Sequence, residues 1–302
     1  MKVGLQIPSY TWPGGPEAIA GTLARIVRTA DEAGFDSIWV MDHFFQIRSV
    51  GRTEEPMLEG WTTLGWLAAH TKRARLGLMV GGVHYRHPGL WVKAATTLDV
   101  LSGGRAWLGI GAAWNQEESE ALGFPFPPLR DRFELLEETL QVAHGMWTGE
   151  QGSEGVHDGR HYHAARLLNS PQSISRPRVP IMVGGGGERK TLRLVAQYAD
   201  GTNVFGAPEA IARKYRILEE HCAAVGRDFE DIERSTLQSV TMGPPGSRGT
   251  ETAAQVVDRF GELADAGAQH VIFSLRGTYG VHDQDTLEQV ASDVLPPLRA
   301  QR

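Results

Sequence analysis

Residues 180–203 read PIMVGGGGERKTLRLVAQYADGTN, and the order of parts in that stretch frames the whole chain. Residues 181–183 make a short apolar strand. Gly184, Gly185, Gly186 and Gly187 follow, and a helical run over 188–198 begins at once. Glycines at such a junction let backbone N–H groups point outward with no Cβ in the way, and the helix start adds partial positive charge. An anion, most often a phosphate, fits that corner. Glycine runs also make ordinary flexible turns, but four of them abutting both a strand and a helix favour the phosphate reading.

The same rhythm extends to both ends. Strand-like runs fall at 3–7, 37–40, 74–80, 106–110, 181–183, 202–205, 235–242 and 270–275. Helical runs follow each, at 16–33, 61–70, 88–101, 130–147, 188–198, 208–225, 250–266 and 284–299. Eight strand–helix units predict the α/β class and a single (β/α)8 TIM barrel over residues 1–302. SIWV and VIFSL are apolar throughout, as strands buried on both faces of a parallel sheet should be. Gly34 and Gly267 stand where helices stop; Pro88 and Pro208 stand where helices start. The rhythm breaks at 149–179, which reads as an inserted hairpin and an extended, proline-containing connection, and more briefly at GPPGSRG, 243–249.

Composition bounds the class. With 302 residues, 41% hydrophobic and 22% charged, the chain is ordinary globular protein. A net charge of −6 and the lack of any lysine or arginine run argue against nucleic acid as a partner. One cysteine, Cys222, excludes an internal disulfide and a cysteine-cluster metal site. MKVGLQIPSY lacks the apolar core of a signal peptide, and no stretch has the length of a membrane span. A cytoplasmic protein with no membrane association is expected.

In such a barrel the residues just past each strand face the reaction. Here they include Asp42-His43 after the second strand, Gly81 to His87 after the third and GIGAAWN (109–115) after the fourth. Asp42-His43 is the best candidate for direct chemistry: a histidine can relay a proton near neutral pH and a neighbouring carboxylate can tune it. Taken alone, Asp42 capping the loop beside a packed His43 fits equally well; the position after a strand favours chemistry. His84, His87 and the run 157–163 invite a metal, yet the sequence places no third ligand, so no metal site is expected. Glu117, Glu118 and Glu120 read as the solvated first turn of a helix.

Three stretches, ADEAGFDSIWVMDHFF, RHPGLWVKAATTLDVLSGGRAWLGIGAAWNQEE and the one quoted first, resemble the bacterial luciferase-like flavin and deazaflavin oxidoreductase superfamily over nearly the whole chain. WVMDHFF with GIGAAWN is similar to its coenzyme F420-dependent branch. The resemblance implies a TIM barrel, usually a homodimer, that binds F420 or, alternatively, FMN at the strand C-termini. It places Asp42 and His43 near the ring and substrate. It places the ring against Met79, Val80 and Gly81, where relatives often carry a non-prolyl cis peptide, and against Gly111, Ala112, Trp114 and Asn115. Gly184 to Gly187 would hold the phosphate. The superfamily's sugar-phosphate dehydrogenases have a carboxylate where Trp114 falls, with basic groups for a substrate phosphate; neither is found here, so their substrate is not carried over.

The activity so implied is hydride transfer between C5 of the reduced deazaflavin and a small organic molecule, with His43 managing the proton and Asp42 orienting it. Tyr10, Trp12, Phe44, Phe45, Trp61 and His84 are expected to shape the substrate pocket, with 149–179 and 45–60 as lids. Alternatives are an FMN-dependent monooxygenase fed by a partner reductase, a non-catalytic flavin carrier, and an unrelated barrel lyase or isomerase.

Overall fold

The computed structural model describes residues 1–277 and 280–300. Its eight barrel strands are β1 (Lys2–Ile7), β2 (Ser37–Val40), β3 (Arg75–Leu78), β4 (Ala106–Gly111), β5 (Ile181–Gly184), β6 (Gly201–Val204), β7 (Glu233–Val240) and β8 (His270–Leu275). All pair in parallel and in chain order, and β8 closes on β1 with Lys2 opposite His270 and Leu5 opposite Phe273. The chain therefore folds as the closed TIM barrel expected. Every residue of β2 and β8 is buried, which explains their unbroken apolar sequence.

Helices surround the barrel: α1 (Pro16–Ala33), α2 (Gly60–His70), α3 (Pro88–Ser102), α4 (Gln116–Ala121), α5 (Leu129–Met146), α6 (Thr191–Tyr198), α7 (Pro208–Val225), α8 (Ala253–Asp265), α9 (Gln284–Gln289) and α10 (Leu295–Ala300). Where sequence punctuation is strong the ends match it. Pro208 opens α7, and Gly226, at φ 71°, turns left-handed to return its N–H to the last carbonyls. Where it is weak they do not. The final helix, expected over 284–299, passes through a π turn at Val290–Val294, because Pro296 and Pro297 offer no N–H to continue the ladder.

Inside the barrel, Trp39 and Trp107 meet edge-on at 6.3 Å and pack with Met79, Met182 and Ile272. Glycines on the strands make room for the indoles. A Cβ on Gly77 would lie 2.5 Å from the Trp39 ring and one on Gly201 would lie 3.0 Å from Trp107. Truncating Trp39 to alanine would cost about 3–5 kcal/mol. This layer plugs the barrel and forms the floor on which the mouth is built.

The segment expected as an insertion folds as two nested antiparallel pairs, Gly152–Ser153 with Leu167–Leu168 and His157–Asp158 with His163–Ala164. None of its residues lines the cleft at the barrel mouth. Glu138 of α5 accepts the amides of Arg160, His161 and Tyr162, and Asp99 of α3 accepts those of Ile174 and Ser175. Those bonds pin it along the outside of α3 and α5. No described helix is long and apolar enough to cross a membrane.

Candidate active site

The mouth of the barrel opens into a cleft of about 310 Å3 whose walls come from the ends of β2 to β6 and from α5 and α6. The third strand shapes it. Expected to run to residue 80, it stops at Leu78; the Met79–Val80 peptide is cis, and Gly81–Gly82 then rejoins β4. The detour presses Val80 against two glycines: a Cβ on Gly184 would lie 2.8 Å from its methyls and one on Gly111 3.1 Å. A side chain at either position would push Val80 into the cleft.

His43 and Asp42 both line the cleft, but they are not partners. Asp42 makes a bidentate pair with Arg86, 2.7 and 2.8 Å, and accepts the Gly82 amide at 3.2 Å. Burial pushes its carboxyl up, and Arg86 opposes that. Burial works against the Arg86 charge too, yet Asp42 and Glu59 carry its pKa above the usual arginine value. Asp42 thus ties the β2 end to the loop after β3, and its role as the group orienting His43 is corrected.

That role belongs to Glu118 of α4. Its side chain is fully buried; one oxygen accepts His43 Nδ1 at 2.6 Å and the Tyr85 hydroxyl, and the other accepts the Phe44 and Phe45 amides at 2.9 and 3.0 Å. Burial raises the Glu118 pKa, but the His43 bond and charge and the Phe45 amide outweigh it and hold the carboxyl below its ordinary range. An ionised Glu118 fixes the proton on His43 Nδ1 and leaves Nε2 with no protein partner among the described residues. The imidazole also meets the exposed Trp114 edge-on at 5.4 Å. Reading Glu117, Glu118 and Glu120 as one solvated turn missed this. Only the middle acid turns inward, and its partners lie 33 to 75 residues away, beyond any local pattern.

The other expected ring contacts, Met79, Val80, Gly81, Gly111, Ala112, Trp114 and Asn115, all line the cleft. Of the glycine run only Gly184 and Gly185 do. Gly185 sits at φ 121°, a backbone that side chains rarely adopt. Gly186 turns away, its carbonyl accepting Lys214 Nζ at 2.8 Å, and the Gly187 carbonyl accepts the Leu192 amide. The helix begins at Thr191 rather than 188, with no side chain capping it, and Thr191 itself faces the cleft. Of the expected phosphate set, Gly184 and Gly185 therefore line the cleft together with Thr191, while Gly186 and Gly187 do not. An acceptor lies nearby: Asn203 lines the cleft, its buried side-chain oxygen has no partner among the described residues, and its nitrogen donates to Ser235 at 2.9 Å.

None of the six expected substrate contacts lines the cleft, and packing claims all but Phe45. Tyr10 and Trp12 are buried against each other at 5.6 Å, with Thr63 beside a tyrosine hydroxyl that burial makes a far weaker acid. Phe44 stacks on Phe124 and abuts Tyr85, and Phe45 lines a neighbouring hollow that shares Trp114 and Asn115 with the cleft. Trp61 packs on Trp91 behind Arg86, its buried indole N–H unpartnered. His84 bonds Ser119 at 2.8 Å, and burial, with help from Arg132, lowers its pKa to about 4, so it is neutral.

A second chamber of about 630 Å3 adjoins the cleft, sharing His43, Met79, Trp114 and Phe205 as a common wall. Its other lining residues are Met41, Leu237, Arg276, Gly277, residues 47, 49 and 50 of the loop after β2, and the polar Gln6, Gln238 and Ser239. A planar ligand and a second small molecule can therefore meet at His43 from opposite sides.

Comparison with known proteins agrees with this arrangement. An F420-dependent glucose-6-phosphate dehydrogenase of Beutenbergia cavernae is 30% identical over 276 residues, 89% of this chain and 75% of the relative. The coenzyme F420-dependent tetrahydromethanopterin reductase of Methanopyrus kandleri superposes with a TM-score of 0.78 at 18% identity, covering 98% of both chains. The EDTA monooxygenase of Chelativorans sp. BNC1 superposes at 0.83 and 15% identity, covering all of this chain and 94% of that one. The last two show a shared fold. The model of the luciferase-like monooxygenase family matches residues 1–296, and the chain belongs to that family.

Proposed function

We propose that the protein is a coenzyme F420-dependent oxidoreductase that moves a hydride between the deazaflavin and a small organic substrate. The observation that carries this is the juxtaposition of a cleft having an uncapped helix start at one end with a separate chamber across His43. The relatives favour F420: proteins named F420-dependent dehydrogenases match in sequence over most of the chain's length, whereas the EDTA monooxygenase matches at 15% identity. A carrier would have no use for the second chamber.

The cleft fits the cofactor. Met79, Val80, Gly81, Gly111, Ala112, Trp114 and Asn115 would hold the ring, the orphaned Asn203 oxygen would accept a ring N–H, and Gly184, Gly185 and Thr191 would hold the phosphate. When bound, the deazaflavin supplies or takes the hydride. His43 Nε2, aimed at the shared wall, gives or takes the balancing proton, and Glu118 keeps the ring in the required tautomer. Asp42 and Arg86 hold the two loops on which His43 and the Met79–Val80 turn sit.

Incubating the purified protein with reduced deazaflavin and a panel of imines, enones and dehydro-amino acids tests this. Recovery of the oxidised deazaflavin absorbance with at least one substrate, without oxygen uptake, is expected. Turnover only with reduced FMN and oxygen would establish the monooxygenase instead. A homodimer and a separate cofactor-reducing enzyme belong to the same proposal.

A further inference from the structure

Past the end of β8, Arg276 turns into the chamber beside the cleft. Its Nε donates to Ser274 Oγ at 3.0 Å and its Nη1 to the Ser49 carbonyl at 3.2 Å. Both acceptors are neutral, and Nη2 has none among the described residues. Among the described residues no aspartate or glutamate lines the chamber. Burial alone works on the guanidinium, lowering its pKa, with no carboxylate acting in the other direction. Arg86, across the mouth, shows the ordinary arrangement: a half-buried arginine answered by Asp42 and Glu59. Arg105 lacks a carboxylate too, but hydroxyl and carbonyl oxygens take up Nε, Nη1 and Nη2 alike. Arg276 is a cation held partly out of water with one donor edge that no described residue fills, an arrangement suited to an anion.

Resting on the function proposed above, we propose that Arg276 anchors a carboxylate of the substrate, an organic acid with a largely apolar body whose reacting carbon lies toward the His43 wall. The open edge of a guanidinium matches the geometry of a carboxylate. Met41, Ile47, Val50 and Leu237 supply apolar wall for the body. A phosphate monoester fits less well. Among the described residues the chamber has no lysine and no helix start; the residues proposed for a phosphate lie across His43 at Gly184, Gly185 and Thr191.

The test is calorimetric titration with benzoate, its neutral analogue benzamide, and glucose 6-phosphate, run with and without bound deazaflavin. Wild type is compared with Arg276→Gln and Arg276→Lys. Benzoate is expected to saturate and to bind roughly tenfold or more tighter than benzamide. That preference should vanish in Arg276→Gln and persist in part in Arg276→Lys, with benzamide binding and the thermal midpoint of both variants near wild type. Should Arg276→Gln not fold, Arg276→Lys set against wild type carries the comparison. Equal affinity for benzoate and benzamide, benzoate binding indifferent to Arg276, tighter binding of glucose 6-phosphate, or binding of no probe would each overturn the assignment. The titrations without deazaflavin separate the two proposals. Failure to bind the cofactor with benzoate discrimination intact would sink the oxidoreductase reading and leave the anchor standing.

Discussion

The barrel carries a histidine–glutamate pair at each end, and the two are used differently. At the floor, His270 is buried, with Nδ1 on Glu233 at 2.9 Å and Nε2 on Ser37 at 3.0 Å. Both ring nitrogens are engaged, and Glu233 also takes Lys2 and Arg75. At the mouth, His43 has Nδ1 on Glu118 and its other nitrogen unengaged, facing a cavity. The chemical groups are the same; the difference is one hydrogen-bonding position that no described residue fills and a space beside it. A TIM barrel keeps stability at the N-terminal ends of its strands and reactivity at the C-terminal ends, and here that division falls on two copies of one residue pair.

Substitutions that separate the pairs can break this contrast. The largest effect is expected from His43→Ala, which should lower kcat by about 10²–10⁴-fold while deazaflavin affinity and thermal midpoint stay near wild type. A variant that turns over at full rate would place the proton chemistry elsewhere. Glu233→Ala should do the reverse. It leaves His270 and Arg75 without their anion and should cost about 3 kcal/mol in denaturant unfolding, with activity per folded molecule unchanged.

That cost should depend on pH. Burial raises the Glu233 pKa, but His270 and Lys2 more than reverse this, so the carboxyl titrates well below its unfolded value near 4.5. Its stabilisation is complete above about pH 4.5 and erodes as pH falls; unfolding curves of wild type and Glu233→Ala should converge under acid. Glu118→Gln should reduce kcat by roughly 10–100-fold with KM little changed, the mark of a group acting through His43. The smallest effect is expected of Tyr10→Phe: full turnover, and a stability change within about 1 kcal/mol, read from thermal melts.

The fold was legible because barrel elements announce themselves locally. Apolar runs mark β2 and β8, and prolines and glycines bracket α7 and the start of α3. The residues at strand ends were legible for the same reason, since topology alone brings Asp42, Gly81, Gly111 and Gly184 to one mouth. What failed was the direction of side chains. Tyr10, Trp12 and Trp61 lie near the mouth in sequence yet spend their surface on packing, and aromatic character does not tell the two fates apart. Glu118 and Arg276 were invisible for the opposite reason: each owes its meaning to what lies opposite it, a histidine for one and an empty chamber for the other.

The central claim is that the cleft grips a deazaflavin by its phosphate at Gly184, Gly185 and Thr191. Titrating wild type and Gly185→Ala with oxidised coenzyme F420 and with FMN, followed by tryptophan fluorescence, tests it most directly. Saturable quenching by F420, weaker quenching by FMN, and a roughly tenfold loss of F420 affinity on adding a side chain at φ 121° are predicted. No saturable response to F420, or an affinity indifferent to Gly185→Ala, would contradict it.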